Sequence, residues 1–124
     1  MSFNGTIVAT VAVNDIQKSK EFYGQKVGLE QANEDAGGVT YMAGGARLHI
    51  YQSSTAGTGQ ATCFMLEVDD IEATVAEFKD RGITFEHYDL PGGERQGDIH
   101  LMGPFKAAWF KDPDGNIIGI DNKM

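Results

Sequence analysis

The side chains able to do chemistry in this sequence are few and widely spread. The histidines and the single thiol are at His49, His87, His100 and Cys63. The run Asp112-Pro113-Asp114-Gly115 is typical of a turn, because proline presets φ at the second position and glycine accepts a positive φ at the end, so a turn role explains both aspartates. No Ser-His-Asp order, phosphate-binding glycine loop or zinc-finger spacing is present. These residues therefore do not identify a catalytic group.

The single cysteine and the single tryptophan each allow two interpretations. Cys63 could ligate a metal or react as a thiolate, but no basic residue is its neighbour in sequence, so we interpret it as a small buried apolar residue. Trp109 could stack on a planar ligand or pack in the core. One thiol cannot form an internal disulfide, and this fits the reducing cytoplasm, where we expect the protein to be.

An internal repeat organises the chain around these residues. Val13-Asn14-Asp15-Ile16 recurs 55 residues later as Val68-Asp69-Asp70-Ile71, and each copy follows an apolar, β-branched run that predicts a strand. The aspartates predict helix N-caps, and the apolar spacing after them predicts helices over 15–27 and 70–81. Gly28 and Gly82 lie where a left-handed residue would end each helix.

Three short strands follow the first predicted helix, and the second half of the chain copies this plan. The predicted strands are 6–13, 29–34, 39–42, 47–51, 61–68, 84–89, 107–111 and 116–120. Residues 91–104 predict a long glycine-rich loop that could serve as a lid. The sequence therefore predicts one α+β domain, 1–124, of two β-α-β-β-β modules, 1–52 and 61–124. A flexible connector, 53–60, joins the modules, and their sheets are expected to curve around a cavity.

The charge pattern restricts the classes of partner. The net charge of −8 and the unclustered Lys and Arg residues disfavour nucleic acid and anionic lipid, but they would favour a cationic ligand. No apolar stretch approaches the length of a membrane span, and the first residues lack the basic and apolar regions of a signal peptide. We therefore expect a small-molecule partner, and neither a nucleic acid nor a membrane.

The repeat and the final turn resemble the vicinal-oxygen-chelate superfamily, which includes glyoxalases, ring-cleaving dioxygenases and bleomycin-resistance proteins. Besides the two repeats, the resemblance is carried by Phe22-Tyr23, Gly28-Leu29 and Trp109-Phe110-Lys111-Asp112-Pro113-Asp114-Gly115-Asn116. It covers essentially the whole chain. It implies the two-module fold with a ligand cavity and, by family precedent, a homodimer, whereas many chemistries share this fold.

The metal-dependent members of that superfamily have ligands on four strands, and the matching positions here are Val8, His49, Cys63 and Gly119. Valine and glycine supply no side-chain ligand, whereas a catalytic divalent metal needs about three protein ligands. We therefore predict no metal and no other cofactor. The alternative is an atypical metal site, in which His49 and Cys63 act with a third ligand such as Glu67.

The resemblance then favours the metal-free branch that sequesters antibiotics, in which apolar walls and a few polar anchors capture a drug-sized molecule. The predicted ligand-binding residues are Trp109, Cys63 and, on one strand face, Arg47, His49 and Tyr51. We expect Trp109 to line the cavity, with His49 and Tyr51 across from it. The alternative function is a lyase, isomerase or dioxygenase of the same fold, and a module that binds only a partner protein is a third interpretation.

Overall fold

The structure, a computed structural model, describes residues 3–122, and the chain divides into two compact units between Ala56 and Gly57. This boundary lies inside the predicted connector, 53–60. Each unit carries one helix and its own sheet, so the α+β class and the two repeated modules are confirmed. No helix within residues 3–122 is long and apolar enough to cross a membrane.

The first unit has a four-stranded sheet with one helix packed against it. Its elements are β1 (Ala9–Val13), α1 (Ile16–Lys20), which continues as a π-helical segment (Glu21–Val27), β2 (Glu30–Asp35), β3 (Gly38–Ala43) and β4 (Ala46–Gln52). The strand order is β1-β4-β3-β2, in which β1 runs parallel to β4 and the other neighbours are antiparallel. The predicted helix over 15–27 is confirmed, although its second half is wound more loosely than an α-helix.

Local contacts define both ends of this helix. The carboxylate of Asp15 accepts hydrogen bonds from the backbone N–H groups of Gln17 and Lys18, at 2.9 and 3.2 Å. Gly28 takes the left-handed conformation, with φ 89°, and its N–H donates to the carbonyl of Tyr23. Tyr23 is fully buried. The other apolar core residues of the first unit with at most 2% exposure are Val11, Val13, Val39, Tyr41 and Ile50.

Strand β2 ends this sheet and is polar along almost its whole length. All six of its residues are exposed: Glu30, Gln31, Ala32, Asn33, Glu34 and Asp35. Lys20 of α1 forms an ion pair of 2.7 Å with Glu34. The strand is therefore held by its backbone bonds to β3 and by this surface contact, and not by burial of its side chains.

The second unit has a six-stranded sheet and one helix. Its elements are β5 (Thr62–Val68), α2 (Ile71–Asp80), β6 (Phe85–Glu86), β7 (Glu94–Gln96), β8 (Ile99–Met102), β9 (Phe105–Lys111) and β10 (Ile117–Asn122). The order is β5-β10-β9-β8-β7, and β6 pairs with β9 beyond the end of β8. Asp70 caps α2 by accepting the N–H of Ala73 at 3.0 Å, and Phe78 packs edge-on against Phe110. The predicted helix over 70–81 is confirmed.

The predicted loop over 91–104 is wrong, because this segment contains the hairpin of β7 and β8. Gln96 pairs with Ile99 across a two-residue turn, in which Gly97 takes a positive φ of 64°. Glycines and prolines at the ends of the segment hid the short strands between them. The predicted strand over 84–89 is also too long, because β8 occupies the adjoining edge of β9. The hairpin extends the sheet, so it is not a free lid.

Asp98 anchors the turn of this hairpin to the rest of the unit. Its two carboxylate oxygens accept hydrogen bonds from Nζ of Lys79 and Nε2 of His87, both at 2.8 Å. The hydrogen bond from Lys79, followed by that from His87, holds the pKa of Asp98 below its ordinary value. His87 therefore has a structural partner in the hairpin.

Candidate functional site

Each sheet has an open face, which is the face turned away from its own helix, and the predicted residues of β4 lie on the open face of the first sheet. Leu48 and Ile50 are buried, whereas Arg47 and Tyr51 are exposed and His49 is half-buried. This alternation places Arg47, His49 and Tyr51 on one side, as strand parity predicts. The rings of His49 and Tyr51 are stacked, with centroids 6.4 Å apart and planes 10° apart.

Both ring nitrogens of His49 are engaged within the first unit. Nε2 lies 2.9 Å from the carbonyl oxygen of Gly37, and Nδ1 lies 3.0 Å from Oγ1 of Thr40. A carbonyl oxygen can only accept, so Nε2 donates its proton, and Nδ1 of the neutral ring accepts from the Thr40 hydroxyl. A metal ligand needs a free lone pair, so His49 could bind a metal only by giving up one of these hydrogen bonds.

A cleft of about 300 Å³ lies beside Tyr51 in the first unit. Its lining includes the carboxylates of Glu34 and Asp35 together with the Tyr51 ring. Glu34 is already paired with Lys20, and one oxygen of Asp35 accepts the N–H of a turn residue at 2.8 Å. The volume is at the lower end of the range for small-molecule sites, and the lining would suit an aromatic or cationic group.

Trp109 lies on the open face of the second sheet. Phe110 contacts the helix α2 side, so its neighbour Trp109, which pairs with Gly119 across β9 and β10, faces the other way. The indole is half-buried, and the rings of Tyr88 and His100 lie edge-on to it, with centroids 5.6 and 5.0 Å away. Trp109 is therefore part of an aromatic cluster on the open face and not of the core beneath α2.

Three polar atoms of this part of the unit are buried without a hydrogen-bond partner among residues 3–122: the Tyr88 hydroxyl, Nδ1 of His100 and Oδ1 of Asp121. His100 is only 2% exposed, and its Nε2 accepts the backbone N–H of Tyr88 at 2.9 Å. Burial raises the pKa of Tyr88, with a smaller contribution from Glu86, and burial raises the pKa of Asp121, with a smaller contribution from Glu67. A buried polar atom without a partner costs about 1–3 kcal/mol, so a ligand that satisfied these atoms would recover that cost.

The positions that match the metal ligands of the superfamily that the sequence resembles do not fit a metal in the second unit. Cys63 is exposed, so its interpretation as a small buried residue is wrong: it lies near the start of β5, an end strand of the sheet, where Thr62 is exposed as well. Gly119 has no donor, and a Cβ there would meet Sδ of Met65 and lie 3.0 Å from Nε1 of Trp109. In the part of the chain that the structure describes, no three His, Cys, Asp or Glu side chains are grouped as metal ligands. The absence of a metal stays a prediction.

The carboxylate of Asp112 belongs to the turn between β9 and β10. One of its oxygens accepts the backbone N–H groups of Asp114 and Asn116, both at 2.9 Å, and the other accepts Nδ2 of Asn116 at 2.8 Å. The turn role predicted for this residue is therefore confirmed.

Sequence reasoning missed Tyr88, His100 and Asp121 as members of the site. The parity of Asp121 with Gly119 was a signal that could have placed Asp121 on the open face, whereas His100 lies on β8, a strand that the sequence did not predict. Tyr88 follows a strand of only two residues, so no periodicity could have located it.

Comparison with known proteins was made for the sequence and for the fold. A sequence model of the Glyoxalase/Bleomycin resistance protein/Dioxygenase superfamily matches residues 6–120. The fold is similar to that of TnmS3, an antibiotic binding protein from Streptomyces sp. CB03234, at 24% identity and TM-score 0.67, covering 99% of this chain and 100% of that one. It is also similar to FosX, a fosfomycin resistance protein from Listeria monocytogenes, at 13% identity and TM-score 0.75, covering 99% and 96%. A glyoxalase family protein from Bacillus anthracis is similar at 18% identity and TM-score 0.72, covering 100% of both chains.

At these identities the three structures share the fold with this chain and say nothing finer about its chemistry. The sequence model, in contrast, spans both repeats, both helices and the turn between β9 and β10. The chain therefore belongs to the glyoxalase/bleomycin resistance protein/dioxygenase superfamily.

Proposed function

We propose that the protein binds a small molecule on the open face of the second sheet, and that it sequesters an antibiotic or another drug-sized natural product without a metal. The observation that carries the proposal is the cluster at Trp109, in which the rings of Tyr88 and His100 lie edge-on to the indole and each carries a buried polar atom that lacks a partner. Small-molecule sites combine aromatic walls with a few polar groups in this way. The likeness to the antibiotic binding protein TnmS3 supports the same proposal.

Three further predicted ligand-binding residues lie on β4 of the first unit. Arg47, His49 and Tyr51 share the open face of β4, and the stacked pair of rings offers a flat surface for an aromatic ligand. The net charge of −8 favours a cationic ligand. That His49 and Tyr51 lie across a cavity from Trp109, and that Cys63 touches the ligand, stay predictions that a crystal structure of a complex would test.

Native mass spectrometry and fluorescence titration test this function. Protein treated with EDTA is mixed with a panel of natural products that includes bleomycin and fosfomycin. We expect a one-to-one complex with at least one member and a change in the emission of Trp109, the only tryptophan. Absence of any complex, or a complex that forms only after a divalent metal is added, would contradict metal-free binding.

A pair of variants shows whether the indole carries the binding. Trp109→Ala should weaken the complex by about tenfold to a hundredfold, because stacking on a large ring contributes about 1–3 kcal/mol. Phe3→Ala is the control, because Phe3 is 83% exposed and is not part of the cluster. Native mass spectrometry measures both, since it does not depend on tryptophan emission. Equal affinities of the two variants would place the ligand elsewhere.

An enzyme of the same superfamily is the second candidate, and the likeness to FosX is the observation that favours it. The spacing on β5 counts against an atypical metal site in which Glu67 joins His49 and Cys63, because the four residues from Cys63 to Glu67 span about 13 Å. Elemental analysis of the purified protein and an assay of fosfomycin consumption with added manganese, zinc or nickel discriminate the two candidates. One bound metal per chain, or turnover that a chelator abolishes, would favour the enzyme.

We also propose that the protein is a homodimer of the cytoplasm. The exposed thiol of Cys63 would stay reduced in that compartment. Light scattering should give twice the chain mass of 13.4 kDa, whereas the mass of one chain at all concentrations tested would contradict the dimer.

A further inference from the structure

Three partnerless polar atoms distinguish the cluster at Trp109 from an ordinary aromatic patch. In native proteins nearly all buried polar atoms are hydrogen-bonded, so several unbonded ones in one region need an explanation. Tyr88 and Asp121 are only half-buried, so a ligand could reach their polar atoms by displacing part of their cover. His100 is only 2% exposed, so a ligand reaches its Nδ1 only where the half-buried rings of Tyr88 and Trp109, which contact it, move aside. The same three atoms are therefore candidates for bonds that form only when a ligand is present.

The strand register arranges two of these atoms about a single small residue. Ala107 of β9 pairs with His100 of β8 on one side and with Asp121 of β10 on the other. Residues that pair directly point to the same face, so His100 and Asp121 flank Ala107 on the open face. Two strand spacings separate them, which is about 10 Å between their Cα atoms. Trp109 comes next on the same face of β9, about 7 Å further along the strand.

The β8 side of Ala107 presents hydrogen-bond donors, whereas the β10 side presents acceptors. Nε2 of His100 accepts the N–H of Tyr88, so in the neutral ring Nδ1 carries the proton and is a donor without an acceptor. The Tyr88 hydroxyl is a second donor on this side of Ala107, because the ring of Tyr88 stacks on that of His100 with centroids 6.1 Å apart. On the other side Asp121 presents an acceptor, and Glu67, its partner on β5, adds a second carboxylate.

We propose that this face binds a planar fused-ring molecule that carries a carbonyl acceptor on the edge toward Tyr88 and His100 and an N–H donor on the opposite edge, toward Asp121. The ring system lies against Trp109. This inference rests on the proposed function of the same face and specifies its ligand class. The two polar edges fix the orientation of the ligand, since reversing it would set donor against donor and acceptor against acceptor.

Two commercial tricyclic probes test the assignment. Acridone is flat and carries a C=O and an N–H on opposite edges of its central ring, whereas xanthone has the same shape and carbonyl but a ring oxygen in place of the N–H. In titrations followed by the emission of Trp109, acridone should bind roughly tenfold more tightly, the effect of one hydrogen bond to a carboxylate. Equal binding of the two probes overturns the donor assignment, and binding of neither overturns the proposed ligand class.

Single substitutions assign each edge. Asp121→Ala should abolish the preference for acridone over xanthone. Tyr88→Phe should lower the affinity for both probes by roughly fivefold to tenfold, because both probes carry the carbonyl that the Tyr88 hydroxyl binds. Tyr41→Phe is the matched control: its hydroxyl is also buried without a partner, but it lies in the core of the first unit, so neither affinity should change. A preference that survives in Asp121→Ala, or unchanged affinities in Tyr88→Phe, overturns the proposal.

Thermal melting separates ligand binding from a structural role. Removing a buried hydroxyl that has no partner should leave the melting temperature of Tyr88→Phe unchanged or raise it, as for Tyr41→Phe. A lower melting temperature in Tyr88→Phe would mean that the hydroxyl is bonded within the protein, and this also overturns the proposal. The proposed function is tested separately by the natural-product panel, so a complex with bleomycin or fosfomycin together with no preference between the probes would contradict this inference alone.

Discussion

Trp109 and Phe110 are neighbours on β9 that face opposite sides of the sheet, so a matched pair of alanine substitutions tests which side is the core. Phe110 has no exposed surface, and the rings of Phe78 and Phe85 lie 5.7 and 5.8 Å from it. Phe110→Ala should therefore cost about 3–5 kcal/mol of unfolding free energy, as is typical of a large core residue. Trp109 is half-buried and mainly loses its edge-on contacts with two rings, so Trp109→Ala should cost about 1–3 kcal/mol.

Urea unfolding followed by circular dichroism measures both variants, because this signal does not depend on the tryptophan. In a chain of this size the difference of about 2 kcal/mol between them corresponds to roughly 5–10 °C in melting temperature. If Trp109→Ala is as destabilising as Phe110→Ala, the indole is a core residue and our interpretation of the open face is wrong. A cost for Trp109→Ala close to zero would leave the open face as described but refute the aromatic cluster, because the contacts with Tyr88 and His100 would then contribute nothing.

Three further predictions concern single residues. Asp98→Asn removes a carboxylate whose pKa is lowered in the folded state. The natural protein should therefore be more stable than the variant above the unfolded pKa of about 4, and this advantage should be lost as pH falls through the folded pKa. Urea unfolding measures it, and a constant difference in unfolding free energy between pH 3 and 7 would contradict the prediction. Gly38→Ala should cost about 2–4 kcal/mol of unfolding free energy, because φ is 130° and a Cβ would collide with the carbonyl oxygen of Ile50. Gly44→Ala also places alanine at a positive φ but meets open space, so it should cost only about 1–2 kcal/mol. Equal costs in thermal melts would count against the close approach at Gly38. The exposed thiol of Cys63 should react with one equivalent of a chromogenic disulfide reagent in the folded protein, and reaction only after denaturation would show that it is buried.

Most of the fold could be predicted because its signals are local. The repeated Asp15 and Asp70 positions mark helix starts through their own backbone bonds, and strand alternation marks the buried faces. The hairpin of β7 and β8 was not predicted, because its strands have three and four residues and are surrounded by turn-forming residues. Its place in the sheet depends on pairing with β9, a contact that no short window of sequence contains.

The candidate site could be predicted only where it depends on parity. Arg47, His49 and Tyr51 share a face because they alternate on one strand, and this needs no tertiary information. The burial of His100 and the exposure of Cys63 depend on which strands end a sheet and which are covered, so they became visible only in the structure. The lack of partners for buried atoms is likewise a property of the assembled unit, and it has no sequence signature.

The polar strand at the end of the first sheet bears on how the protein behaves when concentrated. The outer edge of a terminal strand carries unpaired backbone groups that can template pairing between molecules, and this is a common start of fibrous aggregation. All six residues of β2 are exposed, three of them are carboxylates, and none is valine or isoleucine, so a second copy that approached edge-to-edge would meet like charge. The charges of this strand therefore disfavour sheet growth between molecules. Replacing Glu30, Glu34 and Asp35 together by their neutral amides should promote aggregation without any change in the core.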